Sequence, residues 1–314
     1  MRKSSNKNYL CNTMQYTVVK HTGSHYLVTP LPRWEPVSCV VRGKIRLKES
    51  ATTNPIAVGD KVEVTEGVIT AVQARKNYII RKSANLSRQE HIIAANIDCV
   101  YLVVTITLPQ TPLEFIDRFL VTCEAYKIPA VIVLNKKDIH RQRVPEAVAR
   151  FKEVYESAGY QVLETSAVTG EGVMQLQAAI YGQVALFSGI SGVGKSSLIN
   201  ALDTNITLRT GELSDYHLKG KHTTTFYEMF PVAGGFVIDS PGIKGFGLVE
   251  VAREEVYHFF PEIFKAAADC RFNPCSHTCE PDCAVITAVA QGSVSPERYE
   301  SYLKLLEEDK GKYR

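Results

Sequence analysis

The chain has 314 residues, 45% of them hydrophobic and 22% charged, with a formal net charge of +3. That balance excludes a disordered or membrane-embedded chain and leaves room for two or three domains of ordinary size. So small a charge does not mark a nucleic-acid binder, so such a role has to come from where the cations cluster. The most apolar run, 92–106, is interrupted by Asn96 and Asp98, and the N-terminus has no signal-peptide core; both point to a cytoplasmic chain without a membrane partner.

Residues 1–12 are polar and basic without apolar periodicity and read as a flexible tail. Over 13–88, short β-rich runs at 16–19, 39–47, 61–64 and 68–74 are separated by Gly, Pro and Asn, which predicts a small antiparallel β-barrel. Val58-Gly59-Asp60 has the chemistry of a turn into the third of these runs. Arg42, Lys44, Arg46 and Lys48 alternate with Gly43, Ile45 and Leu47, so a strand would carry all four cations on one face. Such a stripe can track the phosphates of RNA, or it can be a solvated outer face. Arg75, Lys76, Arg81, Lys82 and Arg88 extend the basic character.

Over 89–248, strand-like runs alternate with helical ones, the pattern of a parallel sheet with crossover helices. Strands are predicted at 99–106, 130–134, 161–165, 184–188, 226–230 and 236–238. Thr111-Pro112-Leu113-Glu114 combines a capping hydroxyl, a first-turn proline and a capping-box acid, so a helix is predicted to begin there. Motifs follow the strands, where ligands of open α/β sheets bind.

Gly189-Ile190-Ser191-Gly192-Val193-Gly194-Lys195-Ser196, followed by Ser197, matches the phosphate-loop pattern between an apolar strand and a helix ending near Leu202. The glycines let backbone N–H groups face phosphates, Lys195 reaches the β and γ phosphates as a catalytic cation, and the Ser196 hydroxyl is a magnesium ligand. Asn135-Lys136-Lys137-Asp138 has the form of a guanine-specificity motif, because the Asp138 carboxylate can accept from both the ring N–H and the exocyclic amine of guanine. Ser166 and Ala167, at another strand end, have the form of the loop that braces the base. Asp239-Ser240-Pro241-Gly242 has the D-x-x-G form in which Asp239 acts on magnesium and Gly242 senses the γ-phosphate. The polar segment 207–225 suits a switch loop, and one of Thr223, Thr224 and Thr225, with Thr224 preferred, completes the magnesium shell.

Of the eight cysteines, Cys11, Cys39, Cys99 and Cys123 are scattered, whereas Cys270, Cys275, Cys279 and Cys283 crowd around His277 within 249–314. Their spacing suits a closed tetrahedral metal site rather than a disulfide framework, and Cys279 is a candidate beyond the four ligands needed. Helices are predicted to flank the cluster: one over 251–268 leads in, and a final one opens at Ser295-Pro296, with Tyr299, Tyr302, Leu303 and Leu306 on one face.

The guanine motif precedes the phosphate loop, the reverse of ordinary GTPases, and the magnesium aspartate comes last. Taken with a basic β domain before and a Cys/His cluster after, this order resembles the RsgA (YjeQ/YloQ) family of circularly permuted GTPases from about Val37 onward. The resemblance implies an N-terminal OB-fold, a permuted P-loop GTPase domain and a mainly α C-terminal zinc-binding module. It implies zinc ligands Cys270, Cys275, His277 and Cys283, with GTP, GDP and Mg2+ as substrate, product and cofactor and one structural Zn2+. It also implies a monomer that binds the small ribosomal subunit and its rRNA, acts late in maturation of that subunit, and hydrolyses GTP faster on it. Ile243 stands where a water-orienting glutamine would follow Gly242, and the family's histidine matches His222, which becomes the candidate for that catalytic role. The competing reading is a GTP-dependent RNA- or protein-binding switch with negligible turnover and no ribosomal role.

Overall fold

Along the first strands, apolar side chains meet in one interior: Val18, Tyr26, Val28, Cys39, Val62 and Ile69 form a single buried cluster. In the computed structural model, which describes residues 15–22, 25–41, 56–82, 90–203, 227–240 and 251–308, these residues lie on β1 (Gln15–His21), β2 (His25–Thr29), β3 (Val37–Val41), β4 (Lys61–Thr65) and β5 (Val68–Val72). The strands run in the order β1-β2-β3-β5-β4, and β4 pairs back onto β1 through Thr17 and Lys61, closing a five-stranded barrel. Only β3 and β5 pair in parallel. At the turn into β4, Gly59 has φ +92°, and a Cβ there would lie 2.0 Å from the Ala95 carbonyl oxygen, so only glycine fits. Asp60 beside it is fully buried and accepts from both Arg75 Nε and Nη2 at 2.7 Å. The basic stripe of Arg42, Lys44, Arg46 and Lys48 lies outside the described residues, as does Arg88; Arg75 and Lys76 form ion pairs with Asp60 and Asp98.

A separate antiparallel hairpin, β6 (Tyr78–Lys82) and β7 (Glu90–Ala95), joins the barrel to the next layer. There the chain alternates β8 (Cys99–Val104), α1 (Leu113–Ala125), β9 (Ala130–Leu134), α2 (Lys137–Arg143), α3 (Pro145–Ser157), β10 (Gln161–Glu164), α4 (Val173–Ile180), β11 (Val184–Ser188) and α5 (Lys195–Leu202), then β12 (Glu228–Val232) and β13 (Gly235–Asp239). The sheet order is β10-β9-β8-β11-β13-β12. All neighbours pair in parallel except β12 with β13. The chain enters mid-sheet at β8, builds outward to β10, then returns across the centre to β11. Burial on both faces, as along all six residues of β8, is what helices on each side require.

Two local expectations give way to the structure. Helix α1 starts at Leu113 with extended Pro112 as its cap. Thr111 does not cap it; its hydroxyl instead accepts from Thr105 N at 3.1 Å and ends β8 at Val104. Beyond the undescribed 241–250, the helix expected over 251–268 is instead a 3-10 segment (Arg253–Phe259) and α6 (Pro261–Ala267), followed by α7 (Ala284–Ala290) and α8 (Pro296–Glu308). The break falls at Phe260, which is extended because a residue before proline is driven out of the helical region. These helices pack around Val256, Phe260, Ile263, Val285, Tyr302 and Leu306. Among the described residues no helix is long and apolar enough to cross a membrane.

Candidate functional site

The carboxyl ends of β9, β10, β11 and β13 deliver four of the predicted motifs to one region. After β11, Gly189, Gly192 and Gly194 all take positive φ, and a Cβ on Gly189 would meet the Val103 carbonyl oxygen at 2.2 Å. The loop therefore curls as only glycines permit and feeds Lys195 into α5. Lys195 is buried, and its Nζ donates to the Gly189 and Ile190 carbonyls, each at 2.9 Å. Burial pushes its pKa down to about 8, against the opposing pull of the Asp239 carboxylate. Asp239, at the end of β13, is pushed upward by burial and pulled back by Lys195. Its Oδ1 is buried without a hydrogen-bond partner. An orphaned carboxylate oxygen beside the phosphate-loop lysine is the donor a hard divalent cation would take up, so the residues present fit magnesium.

The guanine motif is bound directly to this loop. Asn135 Nδ2 donates to Val193 O at 2.8 Å, and Lys136 Nζ donates to Gly192 O at 2.8 Å and to Leu108 O. A Cβ on Gly194 would stand 2.5 Å from Asn135 Nδ2, so glycine at this position makes room for the asparagine. Lys136 takes left-handed φ 68°, which turns the chain so that Lys137 and Asp138 start α2. Lys137 N donates to Thr165 O at 2.9 Å. Ser166 Oγ donates to Asp138 Oδ1 at 2.6 Å, and Thr165 Oγ1 and Ala167 N donate to Asn135 Oδ1 at 3.2 and 3.4 Å. The loop after β10 thus orients the Asn135 and Asp138 side chains. Ser191, Ser196 and Ser197 lie in the same loop and first helical turn; His222, Thr224 and Gly242 fall outside the described residues.

One wall of this region carried no motif. The loop from β8 to α1 brings the Leu108 carbonyl to Lys136 and seats Pro109 about 3.4 Å from where a Gly192 Cβ would be. Its part is settled by tertiary contact, for which a single sequence offers no periodic or motif signal.

In the C-terminal module, donor atoms of Cys270, Cys275, His277 and Cys283 all lie within 4.8 Å of one another. Cys270 and Cys283 Sγ are 3.9 Å apart, Cys275 and Cys283 Sγ 3.8 Å, and His277 Nδ1 lies 3.5 and 3.6 Å from the Cys270 and Cys283 sulfurs. A tetrahedron with ordinary zinc bond lengths has S···S edges of about 3.8 Å and S···N edges of about 3.6 Å. The cluster fits that ion, with His277 offering Nδ1. Cys279 is exposed and outside the cluster, which removes it from the competition for a ligand position. Glu280, unmarked in the sequence, accepts from the backbone N–H groups of Ser276, Thr278 and Cys279, and the Ser276 side chain first, then backbone N–H groups, hold its carboxyl well below the usual range. Tyr299 and Tyr302 hydroxyls donate to the His277 and Ser276 carbonyls at 2.7 and 2.8 Å, tying the loop to α8.

Comparison with known proteins agrees with this geometry. Residues 72–249 match the RsgA GTPase family. A Bacteroides fragilis protein named small ribosomal subunit biogenesis GTPase RsgA is 49% identical over 308 residues, covering 96% of this chain and 99% of the relative. Its Porphyromonas gingivalis counterpart of the same name is 46% identical, covering 94% and 97%. Among solved structures, YjeQ from Thermotoga maritima superposes with a TM-score of 0.76 at 34% identity, covering 94% of this chain and 98% of that one. YloQ, described as a circularly permuted GTPase, superposes with a TM-score of 0.72 at 26% identity, covering 100% and 99%. With a phosphate loop braced by a guanine motif that precedes it in the chain, and with relatives matched over nearly their full length, this protein belongs to the RsgA GTPase family.

Proposed function

We propose that this chain is a GTP hydrolase that acts in biogenesis of the small ribosomal subunit, as the names of its relatives state for them. The observation that carries the reading is the pair of side-chain bonds from Asn135 and Lys136 to the phosphate loop, which sets base recognition and phosphate binding at a fixed separation. Asp138, held by Ser166, accepts from the guanine edge. Lys195 exchanges its two carbonyl partners for the β and γ phosphates, and the backbone N–H groups of 189–196 complete the cradle.

Ser196, Thr224 and Asp239 would hold Mg2+, which would supply neutralising charge to the phosphates. Asp239 supports this reading through its unpaired Oδ1. His222 is the residue we assign to orienting the attacking water, since Ile243 cannot accept a hydrogen bond. One zinc ion held by Cys270, Cys275, His277 and Cys283 would supply the folding free energy of a loop too short to bury a core. Contact with rRNA is assigned to the stripe Arg42, Lys44, Arg46 and Lys48 on a barrel of OB-like strand order. The division into barrel, GTPase domain and zinc module at about 88 and 248 belongs to the same proposal.

Adding purified small ribosomal subunits should raise GTP turnover at least about tenfold, an effect that an arginine or loop supplied in trans readily gives. Unchanged turnover with subunits present would instead favour a binding switch.

A further inference from the structure

His140 is buried to 1% exposure on α2, two residues beyond Asp138, and none of the roles above uses it. Its Nε2 accepts from the Ile106 backbone N–H at 3.2 Å, which selects the neutral tautomer with the proton on Nδ1, an atom that is buried without a hydrogen-bond partner of its own. Ile106 belongs to the β8–α1 loop, the loop that also presents the Leu108 carbonyl to Lys136. The start of α2 is therefore clamped to that loop at two points, by Lys136 on one side of Asp138 and by His140 on the other. Within α2 the His140 N–H bonds to the Lys136 carbonyl at 3.0 Å, so the two clamp residues move as one turn of helix.

We propose that His140 is a positioning residue for guanine recognition: in its neutral form it holds the Asp138 turn against the β8–α1 loop, and its protonation releases that turn and weakens guanine binding. The inference rests on the guanine-nucleotide reading given above.

A protonated imidazole has two N–H donors and no acceptor, so Nε2–H would face the Ile106 N–H, and both would be left unsatisfied in a buried setting. The charged groups facing His140 are Lys136 and Asp138 from its own turn and Glu164 from β10, together with the Thr107 backbone. Burial, the largest influence, pushes its pKa below the ordinary value; the Thr107 backbone and the two carboxylates oppose it, and Lys136 adds to it. The neutral, accepting form is thus the resting state at neutral pH, and release belongs to the acid side of that ordinary value, 6.5.

The test compares GDP, IDP and ADP binding to the full-length protein at pH 7 and pH 5 with His140→Gln and His140→Leu. IDP lacks the exocyclic amine that meets Asp138, so the GDP to IDP affinity ratio reads the position of that carboxylate, which packing alone does not set. In the native protein that ratio should shrink about fivefold or more from pH 7 to pH 5. His140→Gln, whose Oε1 replaces Nε2 as acceptor but does not titrate, should keep the native ratio at both values. His140→Leu, with the Ile106 N–H left unpaired, should show a ratio reduced about tenfold at both. The proposal is overturned if the glutamine variant follows the native acid loss, or if the folded leucine variant, checked by thermal melting, keeps the native ratio. Should the leucine variant fail to fold, the glutamine variant decides. A native protein that binds GDP no better than ADP at pH 7 would overturn the guanine reading itself.

Discussion

In the proposed reading, base selection rests on the Asp138 carboxylate. Ser166 Oγ donates to Asp138 Oδ1 at 2.6 Å, which fixes the orientation of the carboxylate. Asp138→Asn replaces one acceptor with a donor, and xanthine offers a carbonyl where guanine offers an amine. The variant is therefore expected to lose GTP affinity by about two orders of magnitude, as expected when buried polar groups lose their partners, and to gain binding of xanthosine triphosphate. Competition of both nucleotides against a fluorescent GDP analogue checks it; unchanged guanine preference would remove Asp138 from the role. At this scale the sequence was most legible. Gly189, Gly192, Gly194 and Lys195 declare themselves because the phosphate loop needs particular backbone freedom at fixed spacing, a requirement visible without any partner. His140 did not, since its acceptor role depends on Ile106, 34 positions away.

Elements were legible where their signals are local. Strands at 130–134 and 184–188 begin and end as their apolar runs do. Expected strand 99–106 stops at Val104 because the Thr111 hydroxyl captures the Thr105 N–H, a contact that a run of β-branched residues cannot announce. The span 251–268 divides at Phe260 for a reason that is in the sequence, Pro261. The zinc loop shows the opposite limit: spacing alone left five candidate donors, the family resemblance pointed to four of them, and the geometry leaves Cys279 outside those four. Metal analysis of the purified chain should return one zinc per molecule. Cys275→Ser should lower that content and the melting temperature together, whereas Cys279→Ser should change neither. Equal loss in both variants would overturn the ligand set.

Across the whole molecule, the zinc module is fixed to the GTPase domain by a charge that belongs to no motif. Arg298, fully buried on α8, donates to Asp117 of α1 at 2.8 Å and to both oxygens of Glu262 at 2.7 and 3.1 Å. The rings of Phe260, Tyr160 and Tyr155 surround its guanidinium at 4.6, 5.4 and 5.8 Å. Nearby, Arg150 of α3 pairs with Glu297 of α8 at 2.7 Å. Removing one partner from a buried charge network costs about 3–5 kcal/mol because the remaining charges stay desolvated. Arg298→Met should therefore lower the urea midpoint of unfolding markedly, whereas Arg150→Met, at a half-exposed pair, should shift it little. Equal effects would mean that the buried network does not carry the docking.

The strand β1 of the barrel hydrogen-bonds to β12 through one register pair, Lys20 with Glu228, whose side chains also meet at 2.8 Å. That single pair sets the flank of the barrel against one end of β12, the strand next to β13 at the margin of the nucleotide-binding sheet. A chain cut between barrel and sheet would therefore leave that end of β12 as an unpaired edge and Glu228 without its lysine.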